Sequence, residues 1–182
     1  FDRRIVRPLT SKHCSTFIFI SNNFITPQTT VNVAFQDFVT IGVLLSRLHE
    51  SWGLFFGNFL EDRPQYNIGV GFEAFAFPPQ LEHQDNLTAT SETYYRYCAE
   101  LMVARDKGLT KTYNDFHDRA KRDPEIEELR RLHHEMDVAV LRAYGWDDLA
   151  DRADLVFLDA TNEDEFAYQS RLFWPSAFRD EV

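Results

Sequence analysis

Residues 37–57 read DFVTIGVLLSRLHESWGLFFG. Within them Phe38, Ile41, Leu45, Leu48, Trp52 and Phe55 recur at three- and four-residue intervals. That spacing aligns them as one apolar stripe and predicts an amphipathic helix of roughly five turns. Asp37 suits the N-cap because its carboxylate can accept orphan amide hydrogens, and Gly57 suits the stop because glycine tolerates the left-handed conformation.

Upstream the period changes. Cys14 to Ile20 is β-branched and aromatic, and Val31, Val33 and Phe35 alternate with polar residues; Ser21-Asn22-Asn23 and Pro27 lie between. Two strands joined by a turn and loop are predicted, paired antiparallel. Downstream, Gly69 to Pro79 carries Phe72, Phe75 and Phe77 and closes on two prolines, which reads as an extended segment. The polar stretch Gln80 to Ser91 then reads as a linker, dividing a first lobe, 1–79, from a helical second lobe, 80–182.

In the second lobe Ser91 or Thr93 can cap a helix running to about Lys107, with Tyr94, Tyr97, Leu101 and Met102 inward and Gly108 as its end. Asp123-Pro124 is a second helix start, with Glu125, Glu127 and Glu128 at the favourable end of the macrodipole. Ile126, Leu129, His133, Met136, Val140 and Tyr144 continue that stripe to Gly145. A short helix after Asp147, an irregular acidic stretch from Asp159 to Glu165, and a further helix start at Phe173-Trp174-Pro175 complete the reading. The fold class expected is α+β: a small mixed N-terminal lobe with antiparallel strands and one long helix, then a mainly helical C-terminal lobe.

The composition is that of a globular chain with a real core: 44% hydrophobic, 15% aromatic and 17 Phe in 182 residues. No run of about 18 apolar residues and no signal-peptide pattern occurs, so no membrane partner is expected. Cys14 and Cys98 have no CxxC spacing and read as reduced thiols of a cytoplasmic protein. The opening Phe1 and the helix start near the chain end suggest a fragment of a longer protein. The net charge of −10 is uneven. Residues 1–79 hold six basic and six acidic side chains, so the whole excess falls on residues 80–182. Contact with nucleic acid is therefore expected mainly from the first lobe.

Motifs for chemistry are missing. Asp123-Pro124 is followed by Glu125 rather than a second Pro and an aromatic, so no amino-methyltransferase loop is present. Gly69-Val70-Gly71 lacks the strand-turn-helix context of a methyl-donor site. None of the four lysines follows an acidic residue by two positions, as a common magnesium-nuclease centre requires. No Gly-x-Ser-x-Gly or HExxH pattern occurs; His133-His134 read as surface or core-edge histidines, and His49-Glu50 as a hydrogen-bonded helix-packing pair. The basic cluster Arg3, Arg4, Arg7 and Lys12, with Arg63, is the DNA-contact candidate, because guanidinium and ammonium groups grip phosphates and guanine edges. Two alternatives stand beside it: a solvated edge strand, and local pairing of Arg63 with Glu61 or Asp62.

Several phrases resemble the C-terminal part of type IIG restriction-modification methyltransferases and their large methylase relatives. Arg7-Pro8-Leu9-Thr10-Ser11-Lys12-His13, Leu45-Ser46-Arg47-Leu48-His49-Glu50-Ser51-Trp52 and Phe72-Glu73-Ala74-Phe75-Ala76-Phe77-Pro78 resemble the family's target-recognition region. The stretches Gly108 to Asp118 and Met136 to Trp146 are similar to its helical tail. The family's Ser-Ser-Leu-Glu phrase and Tyr-Thr-Pro turn are replaced here by Asn58-Phe59-Leu60-Glu61 and Tyr66-Asn67-Ile68. The resemblance implies a bacterial parent enzyme that uses S-adenosylmethionine to methylate adenine at N6, with a nuclease attached in some forms. It makes this chain a non-catalytic recognition module for double-stranded DNA, or alternatively a scaffold docked on the catalytic methyltransferase domain of the same parent chain.

Overall fold

A computed structural model describes residues 2–13, 16–60 and 63–182. Cys14, and the Glu61 and Asp62 partners considered for Arg63, lie outside the described residues. The fold is α+β, with strands toward the N-terminus and helices following.

The N-terminal sheet is built from β1 (Arg3–Pro8), β2 (Ile18–Ser21) and β3 (Thr30–Val33), in the order β2-β1-β3. The two predicted strands exist, but they do not pair with each other. Each pairs antiparallel with β1, so that Ile5 lies opposite both Phe19 and Val33. Strand β1 buries neighbouring residues, Ile5 and Val6, which side-chain alternation directs to opposite faces. Both of its edges are hydrogen-bonded, one to β2 and one to β3. The arginine-rich stretch is therefore the middle strand and not an edge.

The five-turn helix predicted from Asp37 to Gly57 is two helices, α1 (Phe38–Leu45) and α2 (Arg47–Phe56). Asp37 caps α1 as expected, its Oδ1 accepting the Thr40 amide at 2.7 Å. The break falls at Ser46, whose hydroxyl donates to Val43 O at 2.6 Å and accepts the His49 amide at 3.3 Å. One side chain thus closes one helix and opens the next, a competition with helix continuation that serine is suited to. The Arg47 amide is also drawn away, to Asp137 Oδ1 at 2.9 Å. Gly57 does end α2, but with φ −78 it is not left-handed. Glycine is needed there because a Cβ would stand 2.2 Å from the carbonyl oxygen of Gly53.

All seven residues from Val39 to Leu45 are buried, so α1 is a core helix rather than an amphipathic one. It packs on α3 (Asp85–Ala104) and α5 (Pro124–Ala143). Against α3 the approach is close enough that a Cβ on Gly42 would lie 1.8 Å from Ser91 Oγ. One apolar cluster joins Ile5 and Val33 of the sheet, Leu44 of α1, Tyr94 of α3 and Met136 of α5. Helix α3 begins at Asp85, so residues 85–91 are helical rather than linker. Their stripe is Leu87, Ser91, Tyr94, Cys98 and Leu101, and the polar residues that suggested a linker occupy the solvated side.

Gly69–Glu73 forms a π-helical turn instead of an extended segment. Tertiary bonds hold it: Trp52 Nε1 donates to Val70 O at 2.7 Å, and Gly71 lies against the Tyr66 ring, where a Cβ would meet Cε2 at 2.9 Å. Around the core run the hairpin β4 (Asn58–Leu60) with β5 (Arg63–Gln65), α4 (Leu109–His117) and α6 (Asp147–Ala150). The hairpin β6 (Val156–Leu158) with β7 (Arg171–Phe173) and the short α7 (Ser176–Arg179) follow. At the end of α5, Gly145 has φ +78, its amide donates to Arg142 O at 2.8 Å and the Trp146 amide to Leu141 O at 3.1 Å. This is the helix stop that glycine permits.

Candidate nucleic-acid interface

The structure disperses the five predicted DNA contacts. Arg3, Ile5 and Arg7 share one face of β1 by side-chain alternation. The Arg3 guanidinium donates to Gln36 O at 3.0 and 2.7 Å and lies 3.7 Å over the Phe19 ring. Arg7 is 1% exposed, with Nε donating to Pro8 O at 3.0 Å and the guanidinium over Tyr66 at 4.3 Å. Arg4 donates to Asn32 Oδ1 at 2.8 Å, Phe24 O at 2.7 Å and Asn22 Oδ1 at 3.2 Å. Arg63 stands exposed on β5. Arg7 borders a small hollow beside His49 and Tyr66, and Lys12 lines a larger site.

That site is a cleft of about 420 Å³ formed where residues 12 and 13 meet the end of α4, the β6–β7 hairpin and the loop between its strands. Lys12 Nζ and His13 Nε2 converge on Asn114 Oδ1, at 3.2 and 3.0 Å. An ammonium can only donate, so the amide presents its oxygen there and His13 carries its proton on Nε2. His13 stacks on His117 with centroids 5.2 Å apart. His117 Nδ1 accepts the Leu172 amide at 3.0 Å, which leaves its own proton on Nε2. Burial pushes the His13 pKa down, and it pushes that of His117 well down, where Arg171 and Arg47 add to the effect. Both rings are neutral at pH 7.

Arg119 forms part of the wall, 60% exposed, with Nη2 donating to Phe157 O at 3.0 Å and lying 3.7 Å from Asp159. Asp118 and Asp159 also line the cleft, so its net charge is small. Ser170, another lining residue, has φ +61, an uncommon conformation for a residue with a Cβ. The Ser170 amide donates to Leu158 O at 2.9 Å, which holds it there.

Behind the cleft a buried ionic network fixes its back wall. Arg171 donates to Glu50 Oε1 at 2.6 Å, to Ala167 O at 2.8 Å and to Lys12 O at 3.3 Å. Arg47 donates to Leu172 O and to Asp137, whose Oδ2 also receives His133 Nδ1 at 3.0 Å. Burial alone would raise the Asp137 pKa, but His133 and Arg47 outweigh it and hold it at about 2. Nearby, His49 is kept neutral by burial, its pKa lowered to about 4. It packs beneath Tyr66, whose hydroxyl lies 3.1 Å from Nε2, while Nδ1 is 3.1 Å from Leu44 O.

Chemically, the cleft offers hydrogen-bond donors of three kinds: ammonium, guanidinium and imidazole Nε2–H. Such a set suits an oxyanion, and the two flanking carboxylates favour a single phosphate over a run of them. Among the described residues no group of three His, Cys, Asp or Glu side chains converges to hold a metal. The Cys98 thiol is pushed up to about 12 by burial and is not a nucleophile at neutral pH. Sequence reading found Lys12 but missed Asn114, His117, Arg119 and Arg171. The signal lay in the polar residues of Gly108 to Asp118, but nothing local ties that phrase to residue 12. Comparison with known protein families, curated proteins and solved structures finds no match.

Proposed function

We propose that this chain is a sequence-specific DNA-recognition module of a restriction-modification adenine-N6 DNA methyltransferase. In this reading it performs no chemistry itself. S-adenosylmethionine and the transfer step belong to the catalytic domain of the same parent chain, and the flipped adenine is held there while this module grips the flanking duplex. The observation that supports it is the cleft in which Lys12, Arg119 and His117 converge, together with the family resemblance of the residues around Lys12 and α4. A backbone phosphate fits that donor set, and phosphate contacts set the register from which bases are read.

The test uses the parent enzyme and a duplex carrying its methylation site. Replacing both Lys12 and Arg119 with Ala is expected to weaken binding to all sequences alike. It should also reduce the slope of log affinity against log salt by about one per lost phosphate contact. Unchanged affinity and slope in a folded double variant would remove the cleft from the interface.

A scaffold role on the catalytic domain is the second reading. It draws on the β4–β5 hairpin, where Phe59 and Leu60 are exposed, and on the acidic excess of residues 80–182. No helix among the described residues is long and apolar enough to cross a membrane, so these exposed side chains are not part of a helical span.

A further inference from the structure

A second cavity, of about 650 Å³, lies between α2, the Phe75 segment, the Gly145 turn and α7. Its walls are aromatic. Trp52 and Phe56 have centroids 4.3 Å apart, and Phe55 meets Phe56 edge-on at 4.8 Å. Tyr144 and Trp146 stack at 4.7 Å with their planes 19° apart. Phe55 is 79% exposed, an expensive placement for a large ring unless something covers it.

The charges around these rings are mainly anionic. Glu165 and Asp180 line the cavity, and both are exposed. Arg179 is the cation there, and it is engaged by Glu163 at 2.9 Å and Glu165 at 3.3 Å. Its guanidinium lies 3.7 Å over the Tyr168 ring, so a cation already rests on one of the lining rings. Aromatic faces carry negative potential, and a cation loses less on desolvation when carboxylates stand beside them.

We propose that this cavity binds a small organic cation of the alkylammonium class, its methyl or methylene groups against Trp52, Phe56 and Trp146 and its charge balanced by Glu165 and Asp180. A neutral apolar ligand would fill the same rings but gain nothing from the carboxylates. A nucleotide would bring phosphate to an anionic rim. The inference is independent of the DNA-binding reading, which concerns the other cavity.

The test compares choline with 3,3-dimethylbutan-1-ol, its neutral isostere, by calorimetric titration of the full chain and by fluorescence of the two cavity tryptophans. Choline is expected to saturate and to bind at least about fivefold more tightly than the isostere. Replacing Glu165 with Gln and Asp180 with Asn together alters exposed positions, so the fold should persist while the preference falls toward unity. Trp146→Phe, which keeps an aromatic face, should weaken choline binding less than Trp146→Ala does. Equal affinity for the two ligands would make the cavity an apolar docking face and overturn the proposal. So would the absence of saturable choline binding, or an undiminished preference in the doubly neutralised variant.

Discussion

Strand β1 and the cleft both carry cations, and they use them in opposite ways. On β1, Arg3 and Arg4 are bonded to backbone carbonyls and amide side chains, and Arg7 is buried against aromatic rings. In the cleft, Lys12 is bonded to Asn114 and Arg119 to Phe157 O with Asp159 3.7 Å away, and both line an open volume, while Arg171 is locked behind them. The lesson is that a basic residue count measures charge, whereas accessibility of the donor decides whether charge can meet a ligand. Arginine is prone to the first use because its planar fork satisfies several carbonyls at once.

The sharpest way to break this contrast is to remove the network that holds the cleft's back wall. Asp137→Ala leaves Arg47 buried without its carboxylate and should cost about 3–5 kcal/mol in urea unfolding. A loss below about 1 kcal/mol would mean the network is not what positions β7.

Acidification probes the same interior. The His49 pKa of about 4 lies below the unfolded value of 6.5, so the unfolded chain binds more protons between those pH values. Stability is complete above about pH 6.5 and falls as pH drops toward 4, by on the order of 3 kcal/mol from His49 alone. His117 and His13, also lowered, act in the same direction. His49→Gln, retaining polar contacts without titrating, should flatten part of that fall; an unchanged pH profile would exclude His49 as its source.

Arginines on β1 should report as structural. Arg4→Ala removes four hydrogen bonds and should lower stability by about 1–2 kcal/mol, with the salt slope of DNA binding by the parent unchanged. Lys12→Ala should do the reverse, lowering the slope by about one with little change in melting temperature. If Arg4→Ala moved the slope and Lys12→Ala did not, the comparison would be inverted. The smallest effect is expected at Arg63, exposed on β5, where Ala should leave the melting temperature unchanged.

The sequence by itself determined the local signals. Asp37 and Gly57 bound the helical region, Pro124 and Gly145 bound α5, and the β-branched runs become β2 and β3. These depend on capping chemistry, backbone freedom and side-chain period within a few residues, all of which a single sequence displays. Tertiary structure alone decided the rest. The break at Ser46 also involves Asp137, some 90 residues away, and the π-helical turn depends on Trp52. The central place of β1 depends on partners from two later segments. Lys12 finds Asn114 across 102 positions, and Glu50 finds Arg171 across 121. A buried pairing such as that of Glu50 with Arg171 arises because burial leaves polar groups no water to bond, so each must take whichever partner the packed core brings within reach, and no local pattern encodes that choice.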